Sequence, residues 1–175
     1  MIVKNPTVKN PFIDEQVHIR HNHQQGNFEL TTEIELQRPI DEVFAFFSDA
    51  ENLQRITPTW LNFNILTDLP VEMKQGQILE YKLRLHGVPI RWKSEICIWD
   101  PNKRFVDRQL SGPYGSWWHE HLFRDLGGKE TLMQDRVLYT VPGGRMIHKL
   151  LVKKDLMRIF EYRREMIREI FARTT

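Results

Sequence analysis

His119 and His121 stand two apart in the run Trp117-Trp118-His119-Glu120-His121-Leu122-Phe123. In an extended strand that spacing sends both imidazoles to one face, together with Trp117 and Phe123. The run before it, Arg104-Phe105-Val106-Asp107-Arg108-Gln109, puts Phe105, Asp107 and Gln109 on one face, and Ser111-Gly112-Pro113-Tyr114-Gly115 can turn one run into the other. Arg108, Glu120 and Arg124 fall on the opposite faces and favour water. The shared surface is therefore the inward one. Asp135, in phase with Met133, Val137 and Tyr139 on the following run, can lie across from the histidines.

Two imidazoles beside a carboxylate suit three chemistries: orienting the polar end of a ligand, passing a proton to and from an enol or phenol, and holding a metal ion. Large aromatics around them make a pocket wall the better reading than a solid core. The first chemistry is the expectation, with His119, His121 and Asp135 as the acid/base set if the protein turns a substrate over. Metal ligation needs a third ligand whose position depends on strand register, so neither a metal nor a cofactor is expected. Tyr81, Trp92, Phe105, Asp107, Gln109, Trp117, Phe123 and Tyr139 are the expected ligand-facing residues. A second histidine group, His18, His21 and His23, has no carboxylate in phase and reads as surface histidines.

The elements that must carry these residues are legible from periodicity. Phe28 to Leu36 alternates as a half-buried strand. Pro39 with Asp41 and Glu42 opens a short helix containing Val43, Phe44, Phe46 and Phe47, and a second short helix, Ala50 to Ile56, stops before Pro58. Strands follow at Leu61 to Thr67, Gln77 to His86 and Ile90 to Trp99, the last with Ile90, Trp92, Ser94, Ile96 and Ile98 on one face. Then come the two histidine-hairpin runs, Gly127-Gly128 as a tight turn, and Thr131 to Val141. Pro142-Gly143-Gly144 ends the strands, and the remainder is one long helix with Val152, Leu156, Ile159, Met166, Ile167 and Ile170 as its apolar stripe, interrupted by Arg163. Residues 1–27, with two Asn-Pro pairs and little periodicity, read as an arm with at most a short ordered piece, and residues 28–175 as a single domain.

A chain of 175 residues can bury about 70% of the surface its unfolded form exposes and needs no staples. Its single cysteine, Cys97, excludes an intrachain disulfide, fits a reducing cytoplasm and sits where a buried thiol is expected. With no apolar run of signal-peptide or membrane-span length, a soluble, cytoplasmic protein is expected. The formal charge of +2 is unevenly spread, since nine Lys/Arg against four acids from Gly144 onward put +5 on the last helix. That helix can cover a sheet with one face and offer a basic one to anionic lipid. No nucleic-acid reading motif is present, and binding to nucleic acid is not expected.

The order of strand, two short helices, six strands and a long C-terminal helix resembles the helix-grip superfamily that unites START lipid-transfer domains, pollen allergens, polyketide cyclases and coenzyme-Q-binding proteins (SRPBCC). The residues that carry the resemblance are Arg38-Pro39-Ile40-Asp41-Glu42-Val43-Phe44, Asp49-Ala50-Glu51-Asn52-Leu53, Gly112-Pro113, Trp118-His119-Glu120-His121-x-Phe123, and the hairpin from Gly127-Gly128 to Thr131. The resemblance implies an α+β fold in which a curved antiparallel sheet of about seven strands and the last helix enclose a cavity for an apolar or aromatic small molecule. Binding or carriage of such a molecule (a lipid, an isoprenoid or a polyketide-like compound) is the expected function, with a cofactor-free cyclase or dehydratase activity as the alternative. Relatives that are enzymes use different cavity residues from one another, so the resemblance assigns no catalytic set.

Overall fold

In the computed structural model, residues 16–173 are described, and they form one eight-stranded antiparallel sheet with helices across it. The strands are β1 (His18–Asn22), β2 (Asn27–Leu36), β3 (Asn64–Ile65), β4 (Ile78–Leu85), β5 (Val88–Asp100), β6 (Arg104–Ser111), β7 (Ser116–Gly127) and β8 (Glu130–Thr140), in the spatial order β1-β2-β8-β7-β6-β5-β4-β3. Helices α1 (Ile40–Phe47) and α2 (Ala50–Arg55) interrupt the strands after β2. The C-terminal helix runs from α3 (Gly144–Ile147) through a π-helical turn, His148–Val152, into α4 (Lys153–Arg173). This is the helix-grip α+β arrangement. No helix among the described residues is long and apolar enough to cross a membrane.

The alternation of β2 is complete: Phe28, Leu30, Thr32, Ile34 and Leu36 are buried and every residue between them is not. In α1 the acids Asp41 and Glu42 occupy the first turn, where they face the positive end of the helix dipole, while Val43, Phe44 and Phe47 are buried. Asp49 caps α2 by accepting a 2.9 Å hydrogen bond from the Glu51 amide. Two buried clusters result. One gathers Trp92, Trp117, Tyr139, Leu156 and Phe160; the other gathers Phe44, Phe47, Phe105, Phe123 and Ile167.

Four details differ from the sequence expectations. The sheet has eight strands rather than seven, because β1 pairs with β2 inside the span read as an arm. Asn22 makes that hairpin, its side chain accepting from the amides of Gln24 and Gln25 while Gly26 takes a positive φ. Residues 1–15 of that arm lie outside the described residues. The strand expected from Leu61 to Thr67 shrinks to Asn64–Ile65, since the chain first makes a 3₁₀ turn over Thr59–Leu61 and Asn62 adopts a left-handed conformation. In β5 a bulge between Ile96 and Ile98 makes Cys97 the extra residue and reverses the phase, so that Trp99 rather than Ile98 packs against Phe44 and Phe105. Cys97 is half-buried, and burial pushes its thiol pKa up. On α4 the inward row is Leu156, Phe160, Arg163 and Ile167, and Phe160, absent from the expected stripe, is among its most buried members.

Candidate functional site: an imidazole–carboxylate ring at a cavity

Strand register builds the site. Asp107 on β6 lies directly opposite His119 on β7, and His121 lies directly opposite Asp135 on β8. All four side chains emerge on the concave face, and each carboxylate reaches one imidazole directly and the other on the diagonal. Asp135 Oδ1 is 2.8 Å from His119 Nε2 and 2.9 Å from His121 Nδ1, the first in line for a hydrogen bond and the second out of line. Asp107 Oδ2 is 3.3 Å from His121 Nε2 and 3.5 Å from His119 Nδ1. The two rings lie 3.9 Å apart. Phe105 stacks on His121 at 4.2 Å, and Phe160 of α4 approaches His119 edge-on at 5.7 Å.

Burial and charge pull against each other here. His119 is held below its ordinary pKa by burial, with the neighbouring His121 adding to the effect and Asp135 opposing it. His121 suffers the same desolvation, yet its contacts with Asp107 and Asp135 outweigh it and raise its pKa. Burial would push both aspartates up, but the two imidazoles overcome it, holding Asp107 below its ordinary value and Asp135 well below. The cluster thus favours ionised carboxylates, and of the two imidazoles His121 holds a proton more readily than His119.

This ring borders a cavity of about 170 Å³ between the sheet and α4, a size that admits a small ring system. Of the residues singled out in the sequence, Tyr81, Trp92, Phe105, Asp107, Trp117, His119 and His121 line it. Asp135 does not; it stands behind the two imidazoles, 4% exposed. Three other expected ligand-facing residues are also elsewhere. Gln109 ties down the β6–β7 loop, donating from Nε2 to the Tyr114 carbonyl at 2.8 Å. Phe123 packs among Phe44, Phe47 and Phe105, and Tyr139 lies buried with its hydroxyl 2.9 Å from His148 Nε2. Alternation assigned these residues to the correct face but could not say how far along each strand the cavity extends.

Periodicity did not single out several lining residues. Ser94 is 2% exposed and accepts from Trp92 Nε1 at 3.1 Å, with the Tyr81 hydroxyl 3.0 Å away. Tyr114 reaches the cavity from the β6–β7 loop, and burial raises its hydroxyl pKa, as it does that of Tyr81. Arg163, the break in the apolar stripe of α4, lines the opposite wall. Its guanidinium lies over the Phe160 ring at 5.4 Å, its charge favours ionised Asp107, and its buried Nε has no hydrogen-bond partner among the described residues.

Comparison with known proteins agrees with this architecture. No curated protein matches the chain. Among solved structures, an aromatase/cyclase from Streptomyces superimposes with a TM-score of 0.58 at 18% identity, covering 87% of this chain and 96% of that one. A START superfamily protein from Mycobacterium smegmatis gives a TM-score of 0.60 at 17% identity over 84% of this chain and 99% of that one. The norcoclaurine synthase of Thalictrum flavum gives 0.62 at 14% identity over 90% and 98%. At these identities the likeness establishes the shared fold. Residues 36–160, which include both histidines, both aspartates and most of the cavity wall, match a sequence family directly, and the chain belongs to that family, described as polyketide cyclase / dehydrase and lipid transport.

Proposed function

We propose that this protein binds a hydrophobic small molecule carrying one oxygen-bearing end, with its apolar body against the aromatic and aliphatic walls and that end at Asp107, His119 and His121. The observation that carries this reading is the asymmetry of the cavity. Leu79, Leu83, Trp92, Ile96 and Leu156 line it, with Asp49, Asn52 and Thr57 the polar residues contributed by the α1–α2 segment, while His119 and Arg163 both meet the Phe160 ring and Arg163 favours ionised Asp107. Apolar surface supplies affinity and a few converging polar groups fix orientation. The test is a calorimetric titration with 2-naphthol, a planar probe with a single hydroxyl. Saturable binding near one equivalent, lost when Ile159→Trp fills the cavity from α4, is expected. Absence of saturable binding, or binding that Ile159→Trp leaves untouched, contradicts the reading.

A second reading, proton transfer to the bound molecule, is favoured by the ring itself. Two imidazoles bridged by two carboxylates give a proton donor and acceptor in contact at the cavity surface, as enolisation or loss of water requires. Replacing both His119 and His121 with Phe would then abolish turnover of an identified substrate while the apolar wall still binds it; turnover that survived would remove the acid/base role. Delivery of the ligand from a membrane surface is a further part of the proposal. Met146, Leu150 and Leu151 are 69%, 66% and 48% exposed around the π-helical turn, beside Arg145, Lys149, Lys153 and Lys154.

A further inference from the structure

We infer that Asp107, His119 and His121 form a divalent-metal site of the zinc class, with an open position facing the cavity. The inference deepens the binding reading above and rests on the same cavity. Its basis is where the nitrogen and oxygen atoms point. Asp135 Oδ1 accepts from His119 Nε2 at 2.8 Å, which places that ring's proton on Nε2 and leaves a lone pair on Nδ1. His119 Nδ1 lies 3.5 Å from Asp107 Oδ2, and His121 Nε2 donates to the same oxygen at 3.3 Å. One atom from each of the three side chains can be chosen so that all three lie within 4.8 Å of one another. A cation that displaces the His121 Nε2 proton, as metal uptake by a histidine requires, therefore meets three converging ligand atoms.

The spacing matches a metal's requirements. Zinc–nitrogen and zinc–oxygen bonds of about 2.0–2.1 Å at tetrahedral angles set neighbouring ligand atoms about 3.3 Å apart. The separations of the two imidazole nitrogens from Asp107 Oδ2, 3.5 and 3.3 Å, are of that size. Histidine ligands are ordinarily held by a carboxylate on their far nitrogen, and Asp135 lies 2.8 and 2.9 Å from the far nitrogens of the two rings. Asp135 is also shut off from the cavity, whereas the three ligand residues line it. Three protein ligands with the fourth position turned toward a cavity leave room for a water or for the oxygen of a bound molecule.

The test uses the full-length protein after chelator treatment and dialysis. Calorimetric titration with Zn²⁺, and with Co²⁺ followed by its visible d–d absorption, should show one equivalent bound with the spectrum of a four-coordinate ion. Asp107→Asn should remove the absorption and the high-affinity heat. Asp135→Asn, checked for folding by circular dichroism, should weaken binding by about 10- to 100-fold through loss of imidazole positioning. A control with His18→Ala, His21→Ala and His23→Ala should bind as before. Failure of the wild type to take up either ion, uptake retained in Asp107→Asn, or uptake lost in the triple-alanine control would each overturn the assignment. Titrating 2-naphthol into the metal-free protein reports on the cavity independently, so loss of the metal site and loss of the ligand cavity are distinguishable.

Discussion

Asp135 carries more of the site than its position suggests. It is nearly inaccessible and lies within 3 Å of a nitrogen of each imidazole. Removing one partner of a buried ionic group typically costs about 3–5 kcal/mol because the others stay buried and uncompensated. Asp135→Asn should fall in that range in urea unfolding at neutral pH, whereas Asp125→Asn, on the exposed end of β7, should be nearly neutral. A second residue-scale effect belongs to His148, which stacks on Phe28 at 3.5 Å and meets the Tyr139 hydroxyl. Burial, then Lys153 and His21, hold its pKa below the ordinary 6.5. The unfolded chain therefore binds more protons between the two values, so the stability tied to neutral His148 is present above about pH 6.5 and lost as pH falls through the folded value. His148→Phe should flatten the acid side of the stability–pH curve, at a cost of about 1 kcal/mol at pH 7.5 from the orphaned tyrosine hydroxyl. An unchanged pH dependence of the urea midpoint would contradict this account of His148.

At the scale of elements, α4 is both lid and wall. Phe160 projects from it onto His119 and is 2% exposed, so Phe160→Ala should cost about 3–5 kcal/mol in urea unfolding and enlarge the cavity. A smaller loss would mean that α4 rests on the sheet less closely than the contact implies. The same helix shows where sequence is informative. Its apolar stripe placed it across the sheet, and Arg163 stood out as the one charged residue on the stripe, yet only the fold reveals that this charge is aimed into a cavity. The pairing of Asp107, His119, His121 and Asp135 was half legible. Alternation put all four on one face, but contact required register, which the β6–β7 and β7–β8 turns set and no periodicity encodes. Bulges were the least legible feature. The extra residue at Cys97 reverses the phase of β5, and nothing in the alternation of Trp92, Ser94 and Ile96 announces it.

At the scale of the whole molecule, the two ends of the C-terminal helix differ in role. α4 covers the sheet, while the π-helical turn presents Leu150 and Leu151 beside Lys153 and Lys154. If this end delivers the ligand, the protein should sediment with phosphatidylserine-containing vesicles and not with neutral ones, and Leu150→Ser with Leu151→Ser should reduce the bound fraction several-fold. Sedimentation independent of those leucines would remove the membrane from the account. The claim on which everything else depends is that a hydrophobic molecule lies in the cavity with its polar end at the paired imidazoles. The most direct measurement is ¹⁵N NMR of the histidine side chains during addition of 2-naphthol, with naphthalene as the hydroxyl-free comparison. Naphthol should shift the ring signals of His119 and His121 far more than naphthalene does, and leave His148 in place. Saturable naphthol binding with His119 and His121 unmoved would contradict that claim.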